Sequence, residues 1–431
     1  MRLVIKNAQI IERDNELKRC DILIEDGFIK QIQSVIEPDN NDQVLDVEGH
    51  FVSPGLVDVH VHLREPGACH KETIATGSLA AAHGGFTSIC AMPNLNPCPD
   101  NPAKLASIQE IIKKDAVVKV HQYACISENL KSDILVDFAG LKEQGAFAFT
   151  NDGVGVQTAG TMYLAMQAAA DQNMALVAHT EDNSLLFGGV MHAGHKAQEL
   201  GLPGILSITE ASQIARDLLL AEATGVHYHV CHVSTKESVR VIRDAKKAGI
   251  HVTAEVTPHH LLLSEEDILS DDAMWKMNPP LRSEMDRQAL IEGLLDGTLD
   301  MIATDHAPHA ADEKAQGFLK APFGIVGSET AFQLIYTHFV KQHIFTLEQV
   351  IQWMATKPAS LFNLPVGQIK EGYPADLAVF DLDQSYTINK ADFLSKSNNT
   401  PFDQWPVYGP TLYTLVDGQI VWQAKGGPHV H

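Results

Sequence analysis

The feature that most narrows what this chain can become is a series of eight short apolar runs: LVDVHVHL, SICAMPN, VVKVHQYACI, AFAFTND, ALVAHTED, VHYHVCHVS, HVTAEVTPHH and MIATDHAP. Between them lie Ala/Leu/Glu-rich stretches of helical length, among them KLASIQEIIKK, TMYLAMQAAADQ, EASQIARDLLLAEATG and KESVRVIRDAKKAG. Strand and helix signals in alternation predict parallel strands joined by helical crossovers, and eight such strands close into a TIM-type (β/α)8 barrel of the α/β class. Nearly every run ends in His, Asp, Asn or Glu. Packing gives a core strand no reason to finish that way, because an unpaired buried polar group costs on the order of 1–3 kcal/mol. Polar strand ends gathered on one face of a closed sheet predict a site at the C-terminal mouth of the barrel.

The two ends of the chain have a different texture. LVIKNAQII, CDILIEDGFIKQI and VLDVEGHFV near the start, and DLAVFDLD and TLYTLVDGQIVW after about residue 366, alternate apolar and polar residues around Asp-Gly and Glu-Gly turns. This period of two predicts a meander of antiparallel strands at each end. The expectation is a small β-sandwich domain formed by residues 1–54 and 366–431, with the barrel spanning 55–365.

A 45% hydrophobic share over 431 residues is ample for such a core. The formal charge of −22, with no Lys/Arg-rich run, argues against nucleic acid and anionic membrane surfaces as partners. An anionic substrate would therefore need local positive charge. No stretch approaches the roughly 20 apolar residues of a membrane helix. The six cysteines are scattered without a Cys-x-x-Cys pair, which fits reduced thiols and a cytoplasmic location.

His60 and His62, two apart in VDVHVHL, project to the same side of their strand and can share one ion. In a chain with 21 histidines a single His-x-His pair is equally well read as core or surface histidine. Its company alters that reading: Asp152 ends the fourth run, His179 the fifth, His232 the sixth and Asp305 the eighth. Four imidazoles and two carboxylates suit zinc and suffice for two ions, with Asp152 as the candidate bridge. Such ions lower the pKa of a shared water and polarise a carbonyl. Asp305 is the candidate catalytic group that takes the proton and returns it to a leaving nitrogen.

In this order, PGLVDVHVHLREPG, MPN, FTNDGVGVQ, VAHTEDN, CHVSTKESV, TPHHLLL, NPPLR and TDHAPH resemble the motifs of the bacterial dihydroorotase family within the amidohydrolase superfamily. The resemblance runs from the N-terminal strands to the C-terminal sheet. It implies the reversible cyclisation of N-carbamoyl-L-aspartate to dihydroorotate, the third step of pyrimidine synthesis, with His60, His62, Asp152, His179, His232 and Asp305 on the metal-ligand positions. It places substrate contacts on His62, Arg64, Asn94, Asn278, His309, Phe323 and Gly324. These assignments make chemical sense, since a guanidinium can fork onto a carboxylate with a geometry no lysine reproduces. The stretch GFLKAPFGIVGSE reads either as a closing loop or as a plain connection.

Many members of the superfamily bridge their metals with a carboxylated lysine, but AFAFTND contains none, and Asp152 stands in that place. Allantoinases and hydantoinases are the nearest alternatives; a neutral ring needs no Arg64, and both generally carry the lysine. A non-catalytic scaffold for a carbamoyltransferase is the alternative from another class, and its mark would be lost ligands. A homodimer is expected, and association with an aspartate carbamoyltransferase stays open. Cys231, next to His232 on its strand, is expected to face away and pack against a helix. His259 and His260 are read as groups orienting a ligand or as purely structural, Glu72 as a helix-start residue, and His429 and His431 as tail residues.

Overall fold

A computed structural model describes residues 2–12 and 15–425. The predicted helices form where the sequence caps them. Asn101, Thr158, Thr235 and Ser283 each accept a backbone N–H in the first turn of Pro102–Asp115, Ala159–Asp171, Lys236–Lys247 and Glu284–Leu295, satisfying donors that no intrahelical carbonyl can reach. Ile208–Thr224 ends on Gly225 in the left-handed conformation, φ +71°, where glycine carries no Cβ penalty.

All eight predicted runs become barrel strands. Leu56–Val61, Phe86–Ala91 and Lys119–Gln122 pair in parallel. Phe149–Thr150, Leu176–Ala178, Tyr228–Val230, Val252–Val256 and Met301–Ile302 form a second parallel run. Parallel bridges Ala124 to Phe149 and Val61 to His306 join the two runs and close the ring. The last seam is fastened further by Asp58, a buried carboxyl that accepts from Thr304 N at 3.1 Å and Thr304 Oγ1 at 2.5 Å and is pushed up to about 6 by its burial. Val57, Val59, Met92, Val177, Met301 and Ala303 fill the interior, while Leu56, Phe86, Ile89, Met162, Ile214, Ile242 and Leu290 belong to the apolar layer shared with the helices.

Both chain ends contribute to one eight-stranded sheet in the order Gln419–Gln423, Thr411–Val416, Leu377–Phe380, Phe51–Pro54, Arg2–Ile11, Leu17–Glu25, Phe28–Gln33, with Gln43–Asp46 on the side of Arg2–Ile11. Its hairpins turn where Asp-Gly predicts: Asp26-Gly27 (φ +50° and +85°) and Asp417-Gly418 (φ +47° and +73°), the twin positive angles that suit the twist of paired strands. The meander is not antiparallel throughout. Arg2–Ile11 runs parallel to Gln43–Asp46 over Leu3–Lys6 and meets Phe51 from Gln9, so the sheet forks along it. Leu3, Ile5, Ile22, Leu45, Leu377 and Leu415 from both arms share one core. The chain passes into the barrel at Gly55, where a Cβ would lie 2.1 Å from Thr87 Oγ1. Among the described residues no helix is long and apolar enough to cross a membrane, and none of the six cysteines is disulfide-bonded.

Candidate metal and substrate site

The barrel mouth holds a cavity of about 200 Å³, lined by His62, Arg64, Asn94, Asp152, His179, His232, Asn278, Asp305, His309, Phe323 and Gly324. His60, the remaining residue singled out from sequence, lies fully buried against Asp152 and Asp305. His60 stands within Leu56–Val61 and His62 just beyond it; His179 follows Leu176–Ala178 directly. Asp152, His232 and Asp305 lie two or three residues past their strands. Three site residues bend the backbone into the left-handed region: Arg64 (φ +60°), His232 (φ +31°) and Asp305 (φ +49°). Non-glycine residues rarely adopt that region, and such strain persists only where surrounding structure enforces it.

The carboxylates lie between the imidazoles. His60 Nε2 is 3.3 Å from Asp152 Oδ1 and 3.4 Å from Asp305 Oδ1. His62 Nε2 is 3.1 Å from Asp305 Oδ1 and 3.5 Å from Asp152 Oδ2. On the other side His179 Nδ1 and His232 Nε2 are 3.0 Å apart, each 3.8 Å from Asp152 Oδ1. Two ligands about 2.0–2.2 Å from one tetrahedral zinc lie roughly 3.3–3.6 Å from each other; both His60 spacings and the His62–Asp152 spacing fall in that range, and the others lie within about 0.3 Å of it. A second observation agrees: the buried His60 Nε2 and Asp152 Oδ1 make no geometrically sound hydrogen bond among the described residues, although buried polar atoms are nearly always paired.

Outer groups hold the imidazoles. His62 Nδ1 meets Asn94 Oδ1 at 2.9 Å, and His60 Nδ1 meets Glu255 Oε1 at 2.6 Å. The electrostatics favour a cation. Burial opposes ionisation of Asp305, yet His60, His62 and His232 hold its carboxyl well below the usual range. Asp152 is likewise held down, against its own burial, by His60, His232 and His62. Burial works against charge on His60 too, but Asp152, Glu255 and Asp305 raise it well above an ordinary imidazole.

Beside this cluster lies a positive corner. Burial brings Arg64 down only to about 10, so it stays charged; its Nε donates to Pro308 O at 3.3 Å, and its Nη2 lies 3.3 Å from His309 Nε2. Burial, Arg64 and Lys71 press His309 down to about 2, which keeps it neutral. His309 Nε2 donates to Phe323 O at 2.8 Å, leaving Nδ1 to accept from Lys71 Nζ at 3.2 Å. Asn278 Nδ2 donates to Glu181 Oε2 at 2.7 Å.

Comparison with known proteins agrees with this geometry. Residues 49–238 match the family described as Dihydro-orotase-like, and residues 319–422 match the Amidohydrolase family. A dihydroorotase of Enterococcus faecalis is 65% identical over 425 residues, covering 99% of this chain and all of that one. A dihydroorotase of Staphylococcus aureus is 59% identical over 420 residues, covering 97% and 99%. The chain belongs to the dihydroorotase family. Among solved structures, an L-hydantoinase (dihydropyrimidinase) from Arthrobacter aurescens matches with a TM-score of 0.87 at 26% identity over 100% of this chain and 97% of that one. A D-hydantoinase matches with the same TM-score at 25% identity. The fold is thus that of the amidohydrolases, a TIM barrel with a sheet-rich terminal domain, and the family is metal-dependent.

Cys231 does not pack against a helix. It points into the barrel interior with Val59 and Met92, its Sγ within 4.8 Å of ligand atoms of His60 and Asp152. Alternation along Tyr228–Val230 carries Cys231 inward with His229, and it is His232, at its left-handed φ, that departs from the alternation to reach the mouth. His260 bonds Thr257 Oγ1 and Pro279 O and so braces the turn after Asn278. Glu72 precedes its helix as expected but also reaches His306 and Ser395. GFLKAPFGIVGSE is tied down: Lys276 Nζ donates to Ala321 O at 2.6 Å, and Lys314 Nζ to Pro322 O at 3.1 Å and Gly324 O at 2.9 Å. Sequence reasoning missed Lys71, Glu181, Lys314 and Glu255, whose partners lie far along the chain and leave no local pattern. His429 and His431 lie outside the described residues.

Proposed function

We propose that this protein catalyses the reversible, zinc-dependent cyclisation of N-carbamoyl-L-aspartate to (S)-dihydroorotate in cytoplasmic pyrimidine synthesis. The observation that carries the reading is one small cavity lined both by a carboxylate–imidazole cluster and by Arg64, Asn94 and His309. His60, His62 and Asp305 would hold one ion, His179 and His232 a second, with Asp152 shared between them. When bound, the ions lower the pKa of water and polarise the amide carbonyl.

The chain's own groups do the rest. Arg64 anchors the substrate carboxylate through paired charge-assisted hydrogen bonds, and Asn94, Asn278 and His309 orient the ring. In the hydrolytic direction a water oxygen adds to the ring carbonyl carbon and its proton passes to Asp305, kept ionised by the surrounding imidazoles. The ring C–N bond then breaks, and Asp305 returns the proton to the departing nitrogen. Cyclisation retraces these steps. The test is an absorbance assay of purified protein with dihydroorotate, hydantoin and allantoin in parallel. Dihydroorotate is expected to be preferred by at least about 10²-fold in kcat/KM, since a site built for a carboxylate rejects rings lacking one. Equal turnover of hydantoin overturns the reading.

A further inference from the structure

A column of hydrogen-bonded polar side chains threads the barrel from the mouth to the opposite end. His60 Nδ1 lies 2.6 Å from Glu255 Oε1, and Glu255 Oε2 lies 3.0 Å from His229 Nε2. His229 Nδ1 meets Thr253 Oγ1 at 2.7 Å, and Thr253 Oγ1 meets His227 Nε2 at 2.8 Å. His227 stacks on His251 with ring centroids 4.5 Å apart. Both precede their strands, Tyr228–Val230 and Val252–Val256, so the column ends at the N-terminal face. His60, Glu255 and His229 expose no surface.

The chemistry of the groups fixes the direction of each bond. An ionised carboxylate only accepts, so His60 Nδ1 and His229 Nε2 carry hydrogens. In a neutral imidazole the other nitrogen is then an acceptor. Thr253 therefore donates to His229 Nδ1 and accepts from His227 Nε2. At the mouth this leaves Nε2 of His60, between Asp152 and Asp305, as the ring nitrogen available to ligate a cation. Glu255 Oε1 also accepts the backbone N–H of His232 at 3.2 Å, so one carboxylate steadies two ligand positions on different strands.

We infer that Glu255 is a positioning residue for the metal centre, locking His60 in the ligating tautomer, and that His229 and Thr253 hold its second oxygen so that the carboxylate cannot rotate. The inference rests on the reading of His60 as a ligand. The experiment measures Zn²⁺ affinity of metal-stripped protein by competition with a chromophoric chelator, together with melting temperature, for His60→Ala, Glu255→Gln and Thr253→Val. Glu255→Gln is expected to weaken the tighter-bound ion about 10–100-fold, the range for lost outer partners of a metal-bound histidine. Thr253→Val keeps the shape and removes the hydrogen bonds to His229 and His227, two links from Glu255, so a smaller loss of about 2–10-fold is expected. Graded loss of affinity along the column supports the inference, whereas a purely structural role would lower the melting temperature and leave zinc affinity alone. If His60→Ala loses zinc while Glu255→Gln and Thr253→Val bind it normally, the positioning role is overturned and the ligand reading stands. If His60→Ala binds zinc normally, both fall.

Discussion

The barrel mouth and the terminal sheet both bury charged groups and both bend the backbone into the left-handed region, yet they do so under opposite rules. In the sheet, positive φ falls at Asp26-Gly27 and Asp417-Gly418, where the turn requires it, and at Asn7 (φ +61°), where the register of Arg2–Ile11 shifts. Buried charge there is answered on the spot: Asp21 accepts from Lys6 Nζ at 2.5 Å, Asn7 N at 2.9 Å and Ile36 N at 2.8 Å. At the mouth, positive φ falls on Arg64, His232 and Asp305, and buried ligating atoms of His60 and Asp152 lack a sound hydrogen bond among the described residues. Folding alone explains the first region. The second fits a bound ion, and strain at such positions is characteristic of functional sites.

Four measurements press on that contrast. Asp305→Asn is expected to keep most bound zinc but lose about 10²–10⁴-fold in kcat, the typical worth of general acid/base help, without loss of melting temperature. Near-normal turnover would remove Asp305 from the proton-transfer role. Arg64→Lys keeps the charge but loses the fork, so kcat/KM for dihydroorotate should fall about 10–100-fold; an unchanged value would mean that the anion binds elsewhere. Asp21→Asn should do the reverse, costing about 1–3 kcal/mol of stability in urea titrations while leaving kcat and zinc affinity unaltered. Burial opposes the charge on Asp21, but Lys6 and the two backbone N–H groups hold its carboxyl below the ordinary value. Its contribution is therefore full above the unfolded pKa of about 3.9 and fades as pH falls through the lower folded value. In Asp21→Asn that part of the acid dependence should vanish, and its persistence would assign the acid lability to other carboxylates. The smallest expected effect is none at all: stripped protein reloaded with zinc in carbon-dioxide-free buffer should recover as much activity as with bicarbonate, because Asp152 needs no carboxylation. A bicarbonate requirement would show that the bridge has been placed on the wrong residue.

The contrast also explains which features were legible in sequence. The eight runs, their polar ends and the Asp-Gly hairpins obey local periodicity, so barrel, terminal sheet and candidate ligands could all be read from residue order. The fork at Arg2–Ile11 could not, since parallel pairing with Gln43–Asp46 depends on how the sheet closes on itself. Cys231 was misplaced because strand alternation was carried as far as His232, two residues beyond the strand, where the positive φ breaks it. Glu255 sits in AEVTPHH with nothing to mark it, and its meaning comes from His60, 195 residues away.

The seam between the first and eighth strands has a kinetic consequence. His62 and Asp305 touch although they are 243 positions apart in the chain, and the ring closes beside them through Val61 and His306. Contacts of such sequence separation form late, after the entropy of a long loop has been overcome. A nascent chain that has not yet emerged past residue 305 can hold the histidines of its earlier strands but not the completed ligand set. On the proposed ligand set, an ion held by His60, His62 and Asp305 has to wait for the eighth strand, and its retention would report that strand's docking rather than early collapse.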